Sequence, residues 1–144
     1  MPARRVEIPK GNGETRPLGI STIENKIVES GLTRILQSIY DEDFLDCSYG
    51  FRPQRNAHQA LNDVDKTIMK QPVSYLVEAD IKGFFDNVPH EKLLELIKIR
   101  IKDSSLIFLI TRFLKAGYID KNQLIKSDKG TPQGSILSPI LANI

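Results

Sequence analysis

Turn signals and apolar periods leave this chain room for very few strands, which limits the fold before any motif is considered. Residues 4–20 read as a hairpin, with RRVEIP and TRPLGI flanking GNG, where glycine and asparagine accept the positive φ of a tight turn. GYIDKNQLIKSDKG (117–130) reads as a second, polar hairpin. Between them only VSYLVEAD (73–80) is strand-like, and it is apolar on both faces, as an interior strand should be.

The remainder is helical in period. Ser21 and Glu24 form an S-x-x-E capping signature ahead of Ile23, Ile27, Val28, Leu32, Ile35, Leu36 and Ile39, predicting a helix over roughly 22–40 with one apolar face. Ala57, Ala60, Leu61, Val64 and Ile68 mark a second helix, stopped by Gln71-Pro72. A third starts near Pro89 with Leu93, Leu94, Ile97 and Ile101 inward, a fourth covers 104–115, and a last begins at about 135. DEDFLDCSYGFRPQR (41–55) has no clean period and reads as an ordered loop. The expected class is α+β, with helices packed on a small, mainly antiparallel sheet.

With 144 residues the chain can bury one ordinary core. Its 20 basic and 18 acidic side chains leave a net charge of +2, so any nucleic-acid surface must be local rather than global. The lone Cys47 excludes an internal disulfide and a cysteine-rich zinc cluster. There is no secretory leader pattern, and the longest apolar run, LIFLI at 106–110, is far below the ~20 residues of a membrane span. A cytoplasmic setting without membrane contact is the expectation. The chain runs to Ile144 inside an apolar stretch without a helix stop signal, so a truncated fragment is expected, with uncovered apolar surface favouring self-association.

Several residues carry two readings. A carboxylate at a strand end beside a glycine, Asp80, can hold Mg²⁺ or can hydrogen-bond a nearby turn. Asp86, just before NVPHEKL, suits an N-cap or helix-dipole role better than catalysis. Of Phe84 and Phe85 one reads as core, and PQG at 132–134 as an ordinary turn before a helix. Lys10 and Arg16 are hairpin charges, solvated by default. Arg52 and Arg55 with Tyr49 and Phe51 suit a nucleic-acid strand, cations for phosphate and rings for stacking; equally, the two rings can pin the loop to the core. His58 and His90 lack partners at metal-ligand spacing and read as helix-surface or capping residues.

RPLGI at 16–20, SYGFRPQRNAHQA at 48–60, ADIKGFFDNVPH at 79–90 and GTPQGSILSPILANI at 130–144 occur in that order. Together they resemble the fingers and palm of a reverse transcriptase of the group II intron, or maturase, type, over nearly the whole chain. The resemblance implies a single partial domain, about 1–75 mainly fingers and about 76–144 mainly partial palm, ending before the catalytic Asp-Asp hairpin. It implies that Asp80 is one of three carboxylates holding two Mg²⁺ ions (Mn²⁺ as a substitute), with the backbone carbonyl of Ile81 facing a metal. Phe85 would match the ring that excludes a 2′-hydroxyl. Gln133 and Gly134 would contact the incoming nucleotide, and Lys10 and Arg16 its triphosphate. The implied partners are an RNA template, a DNA primer, deoxynucleoside triphosphates and intron RNA. No adjacent Asp-Asp pair occurs in the 144 residues, so these residues alone are expected to be inactive. An RNA-binding module that assists splicing without synthesis is the alternative from another class. Retron, diversity-generating or CRISPR-associated enzymes are the alternative within the same chemistry.

Overall fold

The computed structural model describes residues 2–144 apart from 10, 12, 127, 132 and 133. Strands β1 (Ala3–Pro9) and β2 (Thr15–Ile20) form the first hairpin, with Val6 opposite Leu18 and Ile8 opposite Arg16. β3 (Tyr118–Asp120) and β4 (Gln123–Ile125) form the second, turning through Lys121 and Asn122, both at positive φ. A short parallel pairing of β1 with β3 joins the hairpins into one sheet of order β2-β1-β3-β4. The sheet is therefore mixed but mainly antiparallel, as the α+β reading expects.

Among the described residues six helices accompany the sheet: α1 (Ile23–Tyr40), α2 (Ala57–Lys70), α3 (Phe84–Asn87), α4 (His90–Arg100), α5 (Ser104–Lys115) and α6 (Ser138–Asn143). The core is a helical seam. Leu32, Leu36 and Tyr40 of α1 meet Leu93, Ile97 and Ile101 at α4, Ile110 and Leu114 of α5, and Leu137, Ile140 and Leu141 at α6. Tyr40 donates its hydroxyl to the Ile97 carbonyl at 3.0 Å, satisfying the one polar atom it brings into the seam. The Asp103 carboxylate accepts from the Ser105 and Leu106 amides and starts α5.

Several expectations are corrected. The residue that caps α1 is Thr22, which accepts from the Asn25 amide, and not Ser21. Ser21 is buried and its hydroxyl is spent on Glu29. Only part of the apolar surface of α1 faces the seam; Ile23, Ile27, Val28 and Ile35 stay exposed. The last helix starts at Ser138 rather than about 135, because Ser135 and Ile136 are also engaged by Glu29. Asp86 is not a helix cap: it lies inside α3, whose N-cap is Gly83, and Pro89 precedes α4.

The largest departure is VSYLVEAD. It runs without strand pairing, and its side chains face water, Val77 at 89% exposure. Its composition suits an interior strand, but an interior strand needs a neighbour on each side. Among the described residues no strand lies beside it. Helix α2 just ahead of it matches the expected span, yet buries none of its residues and leaves Leu61, Val64, Ile68 and Met69 exposed.

These uncovered apolar surfaces give a direct expectation. The 144-residue polypeptide should associate with itself as concentration rises, read as a growing weight-average sedimentation coefficient. Replacing Ile23 and Ile27 together by serine should shift it toward monomer without loss of helix content; a monodisperse wild type at high concentration would contradict this.

Candidate functional site

Two distant segments, 85–90 and 128–131, are stitched together by their backbones. The Gly130 amide donates to the Val88 carbonyl at 2.8 Å and the Thr131 amide to the Phe85 carbonyl at 2.7 Å. His90, buried at the start of α4, donates from Nε2 to the Gly130 carbonyl at 2.6 Å. Its expected surface position is corrected: the ring is an internal clamp. His58, by contrast, is exposed on α2. Lys129 Nζ reaches the Asn87 Oδ1 at 2.9 Å across the same seam. Gly130 sits at φ +85°, and a Cβ there would lie 2.9 Å from the Asp86 carbonyl oxygen, so the close approach requires glycine.

The other end of this loop is tied to the first hairpin. Gly134, at φ +97°, leaves no room for a Cβ, which would fall 2.6 Å from Leu18 Cδ1 and 2.7 Å from the Gly19 carbonyl oxygen. Beside it the Glu29 carboxylate, 2% exposed, accepts from Ser135 Oγ and the Ile136 amide, each at 2.9 Å, and from Ser21 Oγ at 3.0 Å. Thr33 Oγ1 donates to the Ile136 carbonyl at 3.3 Å. Thr131 is therefore held against the FFDNVPH segment and Gly134 against RPLGI. A cleft of about 340 Å³ opens alongside, its walls including Arg5, Pro17, Gly19, Asp86, Lys129 and Thr131. Gln133 and Lys10 fall outside the described residues.

Arg16 projects from β2 and is exposed, opposite Ile8. Phe84 and Phe85 are half-buried and pack edge to face, their centroids 5.8 Å apart. Asp80 and Ile81 are exposed, in the extended run that precedes the Gly83 turn. They offer a carboxylate and a carbonyl, oxygen donors of the class Mg²⁺ prefers. Among the described residues, however, no group of three or more His, Cys, Asp or Glu side chains converges as a metal site. The donor type fits the ion, and the donor number does not.

In the loop ahead of α2, Arg52 is 6% exposed. Its Nε and Nη2 donate to the Asp41 side chain and carbonyl, and its Nη1 to the Leu45 and Ser48 carbonyls. With four of its five N–H donors committed in this way, the guanidinium chiefly organises the loop. Arg55 is more open; it bonds Asp46 and lies over the Tyr49 ring, 5.6 Å from the centroid. Phe51 is 64% exposed and held at φ 56°, an uncommon conformation for a bulky side chain. It does not pin the loop to the core. Tyr49 instead donates its hydroxyl to Asp63 of α2, holding loop and helix together.

The family model described as reverse transcriptase (RNA-dependent DNA polymerase) matches residues 8–144. The chain belongs to the reverse transcriptase family. This reverse transcriptase chain is 49% identical over its full length to the group II intron-encoded protein LtrA of Lactococcus lactis, covering 24% of that protein. It is 37% identical over its full length to the protein YkfC of Escherichia coli, covering 39% of it. It is 40% identical over 99% of its length to the putative COX1/OXI3 intron 2 protein of Saccharomyces cerevisiae, covering 17% of it. The chain thus spans well under half the length of these relatives. The fingers and palm fold of the family fits the observed α+β arrangement. Among its described residues no helix is long and apolar enough to cross a membrane.

Sequence reasoning missed Glu29 and the internal roles of His90 and Asp63. Glu29 carries a signal in retrospect: with Leu32, Leu36 and Tyr40 it shares one face of α1, so a charge stands on a buried face. Asp63 carries none.

The hydrogen bond to Tyr49 holds the Asp63 carboxyl below its ordinary value, and that same bond, chiefly, raises the tyrosine. A depressed carboxyl favours the docked state above its unfolded pKa of about 3.9 and loses that contribution as pH falls through the lowered folded value. The raised tyrosine acts oppositely, helping below pH ~10 and failing as pH rises through its raised value. NMR shifts of the Tyr49 ring should therefore be flat across neutral pH and move at both extremes. Asp63→Asn should abolish the acid transition.

Proposed function

We propose that the polypeptide carrying this chain copies RNA into DNA, and that residues 1–144 supply part of its fingers and palm, divided near residue 75. The observation that best supports this reading is the pair of contacts that Thr131 and Gly134 make with the FFD segment and RPLGI. It brings Gly134 beside the strand that bears Arg16, and Thr131 beside the backbone of Phe85. One side of that arrangement offers a cation for a triphosphate, and the other an aromatic ring to sit against a sugar.

In this reading Arg16 meets the triphosphate, with Lys10 and Gln133 as further contacts. Phe85 rejects ribonucleotides by a clash with the 2′-hydroxyl. Asp80 and the Ile81 carbonyl are oxygen donors for Mg²⁺ or Mn²⁺. One carboxylate cannot hold two ions, so further carboxylates would come from outside residues 1–144, and these residues alone are expected to be inactive. Phe51 and Tyr49 offer rings to the template strand, with Arg55 as the cation. The RNA template, DNA primer and deoxynucleoside triphosphates are the substrates proposed, in a cytoplasmic setting. A second reading, an RNA-binding module that assists splicing, is favoured by one more relative. The chain is 28% identical over 70% of its length to nuclear intron maturase 1, mitochondrial, of Arabidopsis thaliana.

Primer extension on an RNA template by the longer polypeptide that carries this chain separates the two. Asp80→Asn should lower extension by at least about a hundredfold, the scale on which losing one group that stabilises the transition state is felt. If wild type and variant are equally inert while intron RNA is still bound, the splicing reading takes over. Phe85→Ala should leave deoxynucleotide incorporation measurable and improve ribonucleotide use relative to it by about tenfold or more. Unchanged sugar discrimination would remove Phe85 from the gate.

A further inference from the structure

We infer that Glu29 is a positioning residue: it fixes residues 134–136 against the end of β2, so that this segment and the strand bearing Arg16 meet a deoxynucleoside triphosphate as one unit. The identity of the ligand rests on the polymerase reading above; the positioning itself rests on geometry. Three donors from different places converge on one buried carboxylate. Ser21 sits at the exit of β2, and Ser135 and the Ile136 amide belong to the loop. Among the described residues Glu29 forms no ion pair, so these donors are what its burial depends on.

The reach of the contact is local. Leu137 onward is locked by the helical seam, whereas Ile136 is 40% exposed and lies outside the group of side chains that form it. Between Gly134 and Ile136 the loop is held by Glu29, by Thr33 and by the tight fit of Gly134 on Leu18 and Gly19. Removing the carboxylate should loosen these residues and leave the seam intact. Glutamine keeps one acceptor for the loop and turns a donor toward Ser21, whose hydroxyl can also accept. It should therefore replace glutamate where alanine cannot.

Two measurements test this. In amide exchange, Glu29→Ala should speed exchange at Ile136 at least about tenfold, as expected for losing a bond to a charged group, while Ile97 and Ile110 stay protected. Glu29→Gln should exchange close to wild type. In steady-state extension by the longer polypeptide that carries this chain, Glu29→Ala should raise KM for the deoxynucleotide by about tenfold with kcat little changed, and Glu29→Gln should restore it. Ser135→Ala, which removes one of the three donors to Glu29 and the acceptor for the Leu137 amide at 3.2 Å, should raise KM in the same direction with a smaller loss of stability than Glu29→Ala, and it serves if Glu29→Ala fails to fold. Unaltered exchange at Ile136 in Glu29→Ala, or a fall in kcat with KM unmoved, would overturn the inference. Arg16→Ala is the separate control. If it leaves KM unchanged while Glu29→Ala still frees the loop, the nucleotide reading fails and the positioning role stands.

Discussion

Everything that positions the candidate site hangs from the place where α1, α4, α5 and α6 exclude water from Leu36, Ile97, Ile110, Leu137 and Ile140. The first hairpin enters α1 at Thr22, the FFDNVPH segment runs into α4 at His90, and residues 134–136 lead into α6 at Leu137. Three candidate segments are thus each within a few residues of a helix that the seam has already placed. Deleting a single one of these buried side chains typically costs about 2–5 kcal/mol, a large share of a small domain's net stability. Polar contacts then decide the last few ångströms: His90 on Gly130, Glu29 on Ile136, and backbone amides across the seam.

The elements whose own residues specify them were legible. The GNG between extended runs gave the first hairpin, the polar run around Lys121 and Asn122 gave the second, and apolar spacing gave α2, α4 and α5 nearly to the residue. Misreadings occurred where the outcome depends on a partner. Ser21 and Thr22 are adjacent residues of equal capping aptitude; only the buried Glu29 decides that Ser21 turns inward. Helix α1 carries apolar residues around more than one face, and its period alone does not say which of them the seam covers. VSYLVEAD has the residues of an interior strand, but β pairing is a property of two segments, and composition reports on one.

The site was legible in its motifs and less so in its division of labour. Gly130 and Gly134 stand where a side chain would collide with backbone, a constraint that the glycines themselves announce. Arg52 and Arg55 are indistinguishable as sequence. One is consumed by four acceptors within its loop, while the other keeps a partly open face over Tyr49. A buried arginine and a buried glutamate share the same disguise: each reads as surface charge until its partners are in place.

The exposed run that ends at Asp80 has a consequence for timing. Its residues are exposed, and among the described residues no strand pairs with it. Order at this position has to arrive with a neighbouring strand, because nothing within the run itself fixes it. If Asp80 serves as a ligand, completing the sheet and arming the carboxylate are then a single cooperative event. A partly assembled protein would stay chemically silent, with its most reactive group unlocked only by the last strand to join.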